Sequence, residues 1–181
     1  MMKMNWITEL DKITKDVELL FSNLTSLELN WKPNPQTWSI AQNLEHLIVV
    51  NETYFPVLSA LKNSNYKTPL IGKLGFIVSF FGKTVLNAVQ PDRKKKMKTF
   101  PIWEPTKSEV TKDIFLRFKN HQNELKQQIK DSEILAKKGV VIASPANKNI
   151  VYKLETAFDI IVTHEQRHLE QAKEILNLLK K

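Results

Sequence analysis

Two histidines, His164 and His168, lie four residues apart in the segment IIVTHEQRHL at residues 160–169. In an α-helix, residues with this separation share a face, and their Cβ atoms are about 5 to 6 Å apart. That distance suits two imidazole nitrogens that each lie about 2.0 to 2.1 Å from one ion. The pair could therefore chelate a divalent metal.

A helix predicted over residues 151–179 would place both histidines on its apolar face. At about 100° per residue, one stripe contains Ala157, Ile160, Ile161, His164, His168, Gln171, Ile175 and Leu178. The opposite face is polar, with Lys153, Glu155, Gln166, Lys173 and Asn177. Two core histidines satisfied by hydrogen bonds are the alternative interpretation. Metal binding is favoured because two adjacent imidazoles each need a partner and one cation serves both.

Length and composition predict the class and the compartment. The 181 residues fit one domain over residues 1–181, long enough to bury roughly 70% of its unfolded surface. The chain has no cysteine, which excludes thiolate ligands, a cysteine nucleophile and disulfides. The first six residues lack the apolar stretch of a secretory signal. We therefore expect a cytoplasmic protein.

One apolar segment and one basic run could indicate membrane or nucleic-acid partners. The apolar segment Leu70 to Val89 is interrupted by glycines and lysines, so it is too short to span a bilayer and is predicted to be buried or to cover a groove. The net charge is +8, and the basic run RKKKMK covers residues 93–98. This run lacks interleaved aromatic residues for base stacking. We expect neither membrane nor nucleic-acid partners.

Periodicity and prolines define the first of four long helices. Apolar residues recur at alternating steps of three and four from Leu10 to Leu27, a seam that suits packing along a neighbouring helix. The helix is expected to end near Leu29, because Pro33 and Pro35 follow and lack backbone N–H donors.

The second and third helices are each predicted to begin at a capping box. The pattern SIAQ at residues 39–42 opens a helix from Ile40 to Leu61, with Asn43 on its apolar stripe. The pattern TKSE at residues 106–109 opens a helix that ends near Lys137. His46 and His121 lie at the edges of the two stripes, so periodicity alone leaves both as candidate third ligands.

The remaining connections complete the predicted fold. Gly139 is expected to cap the third helix, and a turn at residues 144–147 precedes the fourth. Residues 140–143 could be extended, but no alternating partner strand is visible. Four amphipathic helices with a long crossover at residues 62–104, between the second and third, predict an all-α four-helix bundle. Such bundle cores commonly hold metal sites.

Several motifs, in their order, resemble the DinB superfamily, the DinB/YfiT-like metalloenzymes. They are WSIAQNLEHL at residues 38–47, Met97-Lys98 ahead of Pro105, and HEQRHLEQ at residues 164–171. The resemblance spans essentially the whole chain and implies a four-helix bundle, often dimeric, that binds zinc or nickel. It implies three ligands, His46, His164 and His168, and so favours His46 over His121. Gln171 matches a family glutamine, but no role is carried over to it.

The resemblance also implies a chemistry. Members of the family act as thiol-dependent transferases, which use bacillithiol, mycothiol or glutathione, and as a maleylpyruvate isomerase; others are hydrolases or damage-inducible proteins. We expect a homodimeric S-transferase or hydrolase, with a low-molecular-weight thiol as co-substrate and an electrophilic small molecule as substrate. The alternative is a non-catalytic metal-binding bundle of the stress response that acts as a binding or dimerisation module.

The catalytic residues, the native metal and the substrate are not defined by the sequence. Glu45 and Glu165 each neighbour a predicted ligand, but adjacent helical residues point to different sides. Both are therefore expected at the surface or behind the ligands, and neither is assigned as a general base.

Overall fold

The computed structural model describes residues 4–92, 99–106 and 109–181. Within these ranges the elements are α1 (Trp6–Phe21), α2 (Ser26–Asn30), α3 (Ile40–Glu52), α4 (Phe55–Lys62), α5 (Gly75–Ala88), α6 (Ile114–Lys137), β1 (Val141–Ser144), β2 (Asn147–Lys153) and α7 (Leu154–Leu179). Short 3-10 turns lie at Leu70–Lys73 and Pro101–Trp103. The mostly helical architecture confirms the all-α class. The basic run at residues 93–98 lies outside the described residues.

The bundle is formed by α1, α3, α6 and α7, which pack against one another. Apolar side chains fill its interior in two clusters along its length. One contains Phe21, Leu44, Phe118 and Leu169, and the other contains Leu10, Leu125, Phe158 and Ile161. Full burial of one such side chain stabilises the fold by about 1.5 to 3 kcal/mol. This packing fixes the relative positions of α3 and α7, which carry the three predicted ligands.

The first helix is shorter than predicted. It ends at Phe21, and α2 begins after Thr25. The Thr25 hydroxyl accepts a hydrogen bond from the Glu28 amide at 3.3 Å, and the Glu28 carboxylate accepts one from the Thr25 amide at 2.8 Å. This capping box starts a new helix inside the predicted one. Leu27, assigned to the buried seam, is 79% exposed as a result.

The second predicted helix is divided into α3 and α4. Its start is confirmed, because Ser39 and Gln42 form the predicted capping box. The prediction of one helix to Leu61 is wrong. Pro56 occupies the first turn of α4, where its missing N–H is tolerated, whereas inside a longer helix it would remove a hydrogen bond.

The third helix, α6, begins later than the capping-box pattern predicted. Lys107 and Ser108 of that pattern lie outside the described residues. Downstream of them, the Val110 amide donates to Asn30 Oδ1 and the Val110 carbonyl accepts from Asn30 Nδ2, both at 2.9 Å. These bonds hold the segment against the end of α2, so the helix starts at Ile114. Its end at Lys137 agrees with the prediction, and Gly139 follows with φ of +71°, the left-handed conformation of a helix cap.

A β-hairpin occupies the region before α7, contrary to the expectation that residues 140–143 lacked a partner strand. β1 pairs antiparallel with β2. Residues 151–153, predicted as the start of the last helix, belong to β2, and α7 begins at Leu154. The hairpin turn falls within the predicted residues 144–147.

The crossover between α4 and α6 contains α5, which packs on β2 and α7. The segment was predicted to be buried or to cover a groove, and only one face of α5 is buried. Val78 is buried, whereas Phe76 and Phe80 face outward. No helix in residues 4–92, 99–106 and 109–181 combines the length and the apolar character needed to cross a bilayer.

Candidate metal centre

Three histidines from two helices converge in the bundle. His46 lies on α3, and His164 and His168 lie one turn apart on α7. One ring nitrogen from each lies within 4.8 Å of the others. The Nε2 atom of His164 lies 3.4 Å from Nε2 of His46 and 3.1 Å from Nε2 of His168. Two nitrogens on one tetrahedral ion would be about 3.3 Å apart, so the spacing suits a shared ion.

Hydrogen bonds at the opposite ring nitrogens orient two of the imidazoles. His46 Nδ1 lies 2.6 Å from the Trp103 carbonyl oxygen, and His168 Nδ1 lies 2.8 Å from Asn43 Oδ1. The Asn43 amide is itself oriented, because its Nδ2 donates to the Ser39 carbonyl at 2.9 Å. Both partners of the imidazoles are acceptors, so Nδ1 carries the hydrogen in each ring. The Nε2 lone pairs of His46 and His168 therefore point towards His164.

This donor set fits a divalent cation. If all three rings are neutral, only His164 has a proton to offer at Nε2, and that proton cannot satisfy both neighbouring lone pairs. At least one pair of nitrogens would then face each other without a hydrogen between them. A cation between the rings serves all three lone pairs, and an outer hydrogen bond at Nδ1 is the usual support of a metal-bound histidine.

Burial keeps the three imidazoles neutral. It lowers the pKa of His46 to about 4, although the hydrogen bond to Trp103 acts in the opposite direction. Burial, followed by repulsion from His46, holds the pKa of His164 well below its usual value. Burial and the other two rings do the same for the pKa of His168. Near pH 7 each ring is thus in the form that a metal requires.

Aromatic side chains enclose part of the cluster. The ring of Trp38 lies 4.7 Å from that of His46 and stacks on His168 at 5.8 Å, between centroids. Trp103, whose carbonyl anchors His46, contacts Phe100 edge-on at 5.4 Å. His46 and His168 are buried, whereas His164 is half-buried. The centre therefore has apolar walls and is accessible near His164.

The structure places His121 outside this cluster. His121 lies on α6 and stacks on Phe55, with ring centroids 5.6 Å apart. It is buried, and its Nε2 atom has no hydrogen-bond partner among the described residues. Burial lowers the pKa of His121 to about 4. Of the two candidates that periodicity left open, only His46 lies beside the pair on α7.

Burial of His121 predicts that acid lowers the stability of the fold, independently of the three-histidine cluster. The pKa of His121 in the folded chain lies below the usual 6.5. Between pH 6.5 and pH 4 the unfolded chain therefore binds more protons than the folded chain. We expect the free energy of unfolding of the wild type, relative to His121→Leu, to fall by about 2 kcal/mol between pH 8 and pH 5. Urea unfolding of both proteins at the two pH values measures this difference. Asn123→Ala, an exposed change on the same helix that keeps His121, should show the same fall relative to His121→Leu as the wild type.

The two glutamates beside the cluster have different environments. Glu165 is fully buried, so of its two expected positions, at the surface or behind the ligands, the surface is excluded. It accepts hydrogen bonds from Asn51 at 2.7 Å and from Gln122 at 2.8 Å, and burial raises its pKa to about 7. Glu45 is half-buried and accepts a hydrogen bond from the Thr106 amide at 2.8 Å. Neither carboxylate belongs to the cluster.

Several residues of the centre were not predicted from the sequence. Asn43 was placed on the apolar stripe of its helix, and a polar residue at such a position was the available signal for a buried role. The carbonyl of Trp103 gives no sequence signal, because any residue supplies one.

Two residues predicted on the buried stripe of α7 are not buried. Gln171 is partly exposed and Leu178 is 45% exposed. They lie at the edge of that stripe.

The fold and the cluster define a helical bundle with a candidate three-histidine metal centre. The sequence profile of the DinB superfamily matches residues 9–172, which include all three histidines. The chain belongs to the DinB superfamily, as the motifs predicted. Comparison with curated proteins and with solved structures gave no significant match.

Proposed function

We propose that this chain is a divalent-metal-dependent enzyme that transfers a low-molecular-weight thiol, or water, to an electrophilic small molecule. His46, His164 and His168 hold the ion in this proposal, and zinc and nickel are ions that imidazole ligands suit. The supporting observation is the convergence of three Nε2 atoms whose lone pairs one cation would satisfy. Membership of the DinB superfamily supports the same assignment.

The number of ligands favours a reactive centre over a structural one. Structural zinc sites are closed by four protein ligands, whereas catalytic sites use three and leave a position open. In the part of the chain that the structure describes, no Asp or Glu joins the three histidines. A divalent ion with an open position lowers the pKa of a thiol or water and polarises a carbonyl group. The chain has no cysteine, so a thiol nucleophile must come from outside.

The surrounding side chains define what the centre would accept. Trp38 stacks on His168 and limits the access of water on that side. Phe100 and Ile102 are exposed on the segment that carries Trp103, so the approach to the cluster is apolar and aromatic. This setting favours an electrophile with an apolar body over a highly charged substrate. The buried Asn43 holds the His168 ring in its orientation through the hydrogen bond at Nδ1.

A second candidate is a non-catalytic, metal-binding bundle that acts as a binding or dimerisation module. The observation that favours it is the state of the nearby carboxylates. Glu165 is occupied by two amide donors in the core, and Glu45 accepts from a backbone amide. Neither is free to act as a general base at the cluster. Transfer of a thiol whose pKa is lowered by the ion needs no such base, which is why we prefer the enzyme.

An assay of thiol consumption tests the proposed reaction. Protein loaded with zinc or with nickel is incubated with glutathione, bacillithiol or mycothiol and with a panel of epoxides, alkyl halides and activated alkenes. We expect loss of free thiol above the uncatalysed rate, which stops on chelation and returns when the metal is restored. His168→Ala is the matched inactive control. If protein with stoichiometric metal gives no metal-dependent turnover with water or any thiol, the second candidate is supported instead.

A further inference from the structure

Apolar side chains at the start of α5 face away from the bundle. Phe76 and Phe80 are 75% and 63% exposed, and Leu70 and Leu74 in the preceding turn are 80% and 46% exposed. Phe76 and Phe80 lie four residues apart and therefore on the same helical face. We call these four residues the outer patch. Single exposed apolar residues are ordinary, but several together mark an interaction surface.

The inner face of α5 fixes the outer patch in its outward position. Val78 is buried, and it clusters with Val151 of β2. Gly82 lies so close to α7 that a Cβ atom there would be 3.2 Å from Thr156 Cγ2. The helix cannot roll to bury Phe76 and Phe80 without losing this contact. The two phenylalanines are therefore held as a protrusion from the surface.

The charged residues in the part of the sequence that carries the outer patch are all lysines. Residues 53–91 contain four lysines and no aspartate or glutamate. Two of the lysines, Lys73 and Lys83, are exposed and lie three residues before Phe76 and three residues after Phe80. The whole chain has a net charge of +8. The outer patch thus combines protruding apolar side chains with a cationic border.

We propose that the outer patch docks on an anionic lipid surface. The phenyl and leucyl side chains enter the boundary between headgroups and acyl chains, and Lys73 and Lys83 meet the lipid phosphates. The helix lies in the plane of the surface, so it needs none of the length that a spanning helix requires. The sequence predicted no membrane partner because the segment is too short to span, but that reasoning does not address surface binding.

Other occupants fit the surface less well. In a two-fold dimer the same patch meets itself, which would bring the lysine borders of two chains of net charge +8 together without an opposite charge. A protein partner would need an acidic border and a groove that receives both phenylalanines. A lipid surface supplies negative charge and a deformable apolar interior together. The inference does not depend on the metal or on the proposed reaction.

Co-sedimentation with lipid vesicles tests the proposal. The full chain is mixed with vesicles of equal parts phosphatidylglycerol and phosphatidylcholine, and separately with vesicles of phosphatidylcholine alone. We expect binding to the anionic vesicles, weakened by salt, and little binding to the neutral ones. The double variant Phe76→Ser, Phe80→Ser should lose about tenfold or more in partition coefficient, because part of the apolar area no longer enters the lipid. Lys73→Glu with Lys83→Glu should also release the protein.

A matched control separates the outer patch from general effects of charge and apolar exposure. Leu116 and Ile134 are exposed apolar residues on α6, and their double change to serine should leave vesicle binding intact. Thermal unfolding checks that every variant is folded. The proposal is overturned if the wild type ignores anionic vesicles, or if Phe76→Ser, Phe80→Ser binds them equally well. It is also overturned if the double phenylalanine change abolishes a dimer or an acidic protein complex and leaves lipid binding unaltered.

Discussion

Replacing His168 with alanine is expected to lower affinity for zinc by more than about 100-fold. Loss of an outer hydrogen bond to a metal-bound histidine typically lowers metal affinity by about 10- to 100-fold, and loss of the ligand itself should exceed that. His168 contributes its Nε2 atom to the cluster at 3.1 Å from His164. A titration against a competing chelator measures the change. Elemental analysis of protein purified without chelators or nickel resin identifies the native ion.

The control for this experiment is another buried histidine. His121→Ala also removes a buried imidazole, but that ring stacks on Phe55 outside the cluster, so equimolar metal binding should persist. Added zinc should raise the unfolding midpoint of the wild type and of His121→Ala, and leave His168→Ala unchanged, because only a ligand that binds the folded state stabilises it. Equal zinc affinity in wild type and His168→Ala would exclude the centre.

The pair on α7 was predictable because both ligands belong to one helix. The four-residue spacing depends only on local geometry, and the apolar periodicity around His164 and His168 placed them inward. The third position was different. His46 and His121 both lie at the edge of an apolar stripe, and helical periodicity contains no information on which helix faces α7. Only the family pattern around Trp38 distinguished them, and the structure brings His46 to the pair.

The boundaries that the sequence did not predict were decided by local caps and distant contacts. Thr25 and Glu28 end the first helix early through a capping box that the leucine seam concealed. Asn30 holds Val110 outside α6 through two hydrogen bonds that join residues 80 positions apart. Such a pairing has no local signature. The number and order of the bundle helices followed from the sequence, whereas their ends depended on tertiary contacts.

The burial of Glu165 on α7 was difficult to predict from the sequence. An acidic residue beside a charged or polar neighbour usually lies at the surface, and ionised carboxylates are almost never fully buried unless paired. Here Asn51 and Gln122, on two other helices, donate to the carboxylate. Neither Asn51 nor Gln122 has a local sequence signal that marks it as a donor to Glu165. The network exists only once α3, α6 and α7 are assembled, so it joins the three helices and fixes the position of α7.

Replacing Glu165 with alanine is therefore expected to destabilise the fold by about 3 to 5 kcal/mol. Each buried donor left without an acceptor costs about 1 to 3 kcal/mol, and the vacated volume adds a cavity cost. Asn51 and Gln122 would both lose their acceptor. Urea unfolding of chelator-treated protein measures the loss without a contribution from bound metal.

Glu165→Gln is the matched control, because it keeps the volume and removes only the charge. In the part of the chain that the structure describes, the Asn51 Oδ1 and Gln122 Oε1 atoms have no hydrogen-bond partner, so rotation of either amide would let it accept from the new side chain. Burial raises the pKa of Glu165 to about 7 from a usual 4.5. Between pH 4.5 and pH 7 the folded wild type therefore binds more protons than the unfolded chain. Its free energy of unfolding falls as the pH rises through this range. Glu165→Gln should lack this fall and should exceed the wild type in stability at pH 8. If Glu165→Ala is instead as stable as the wild type, the network does not hold the three helices together.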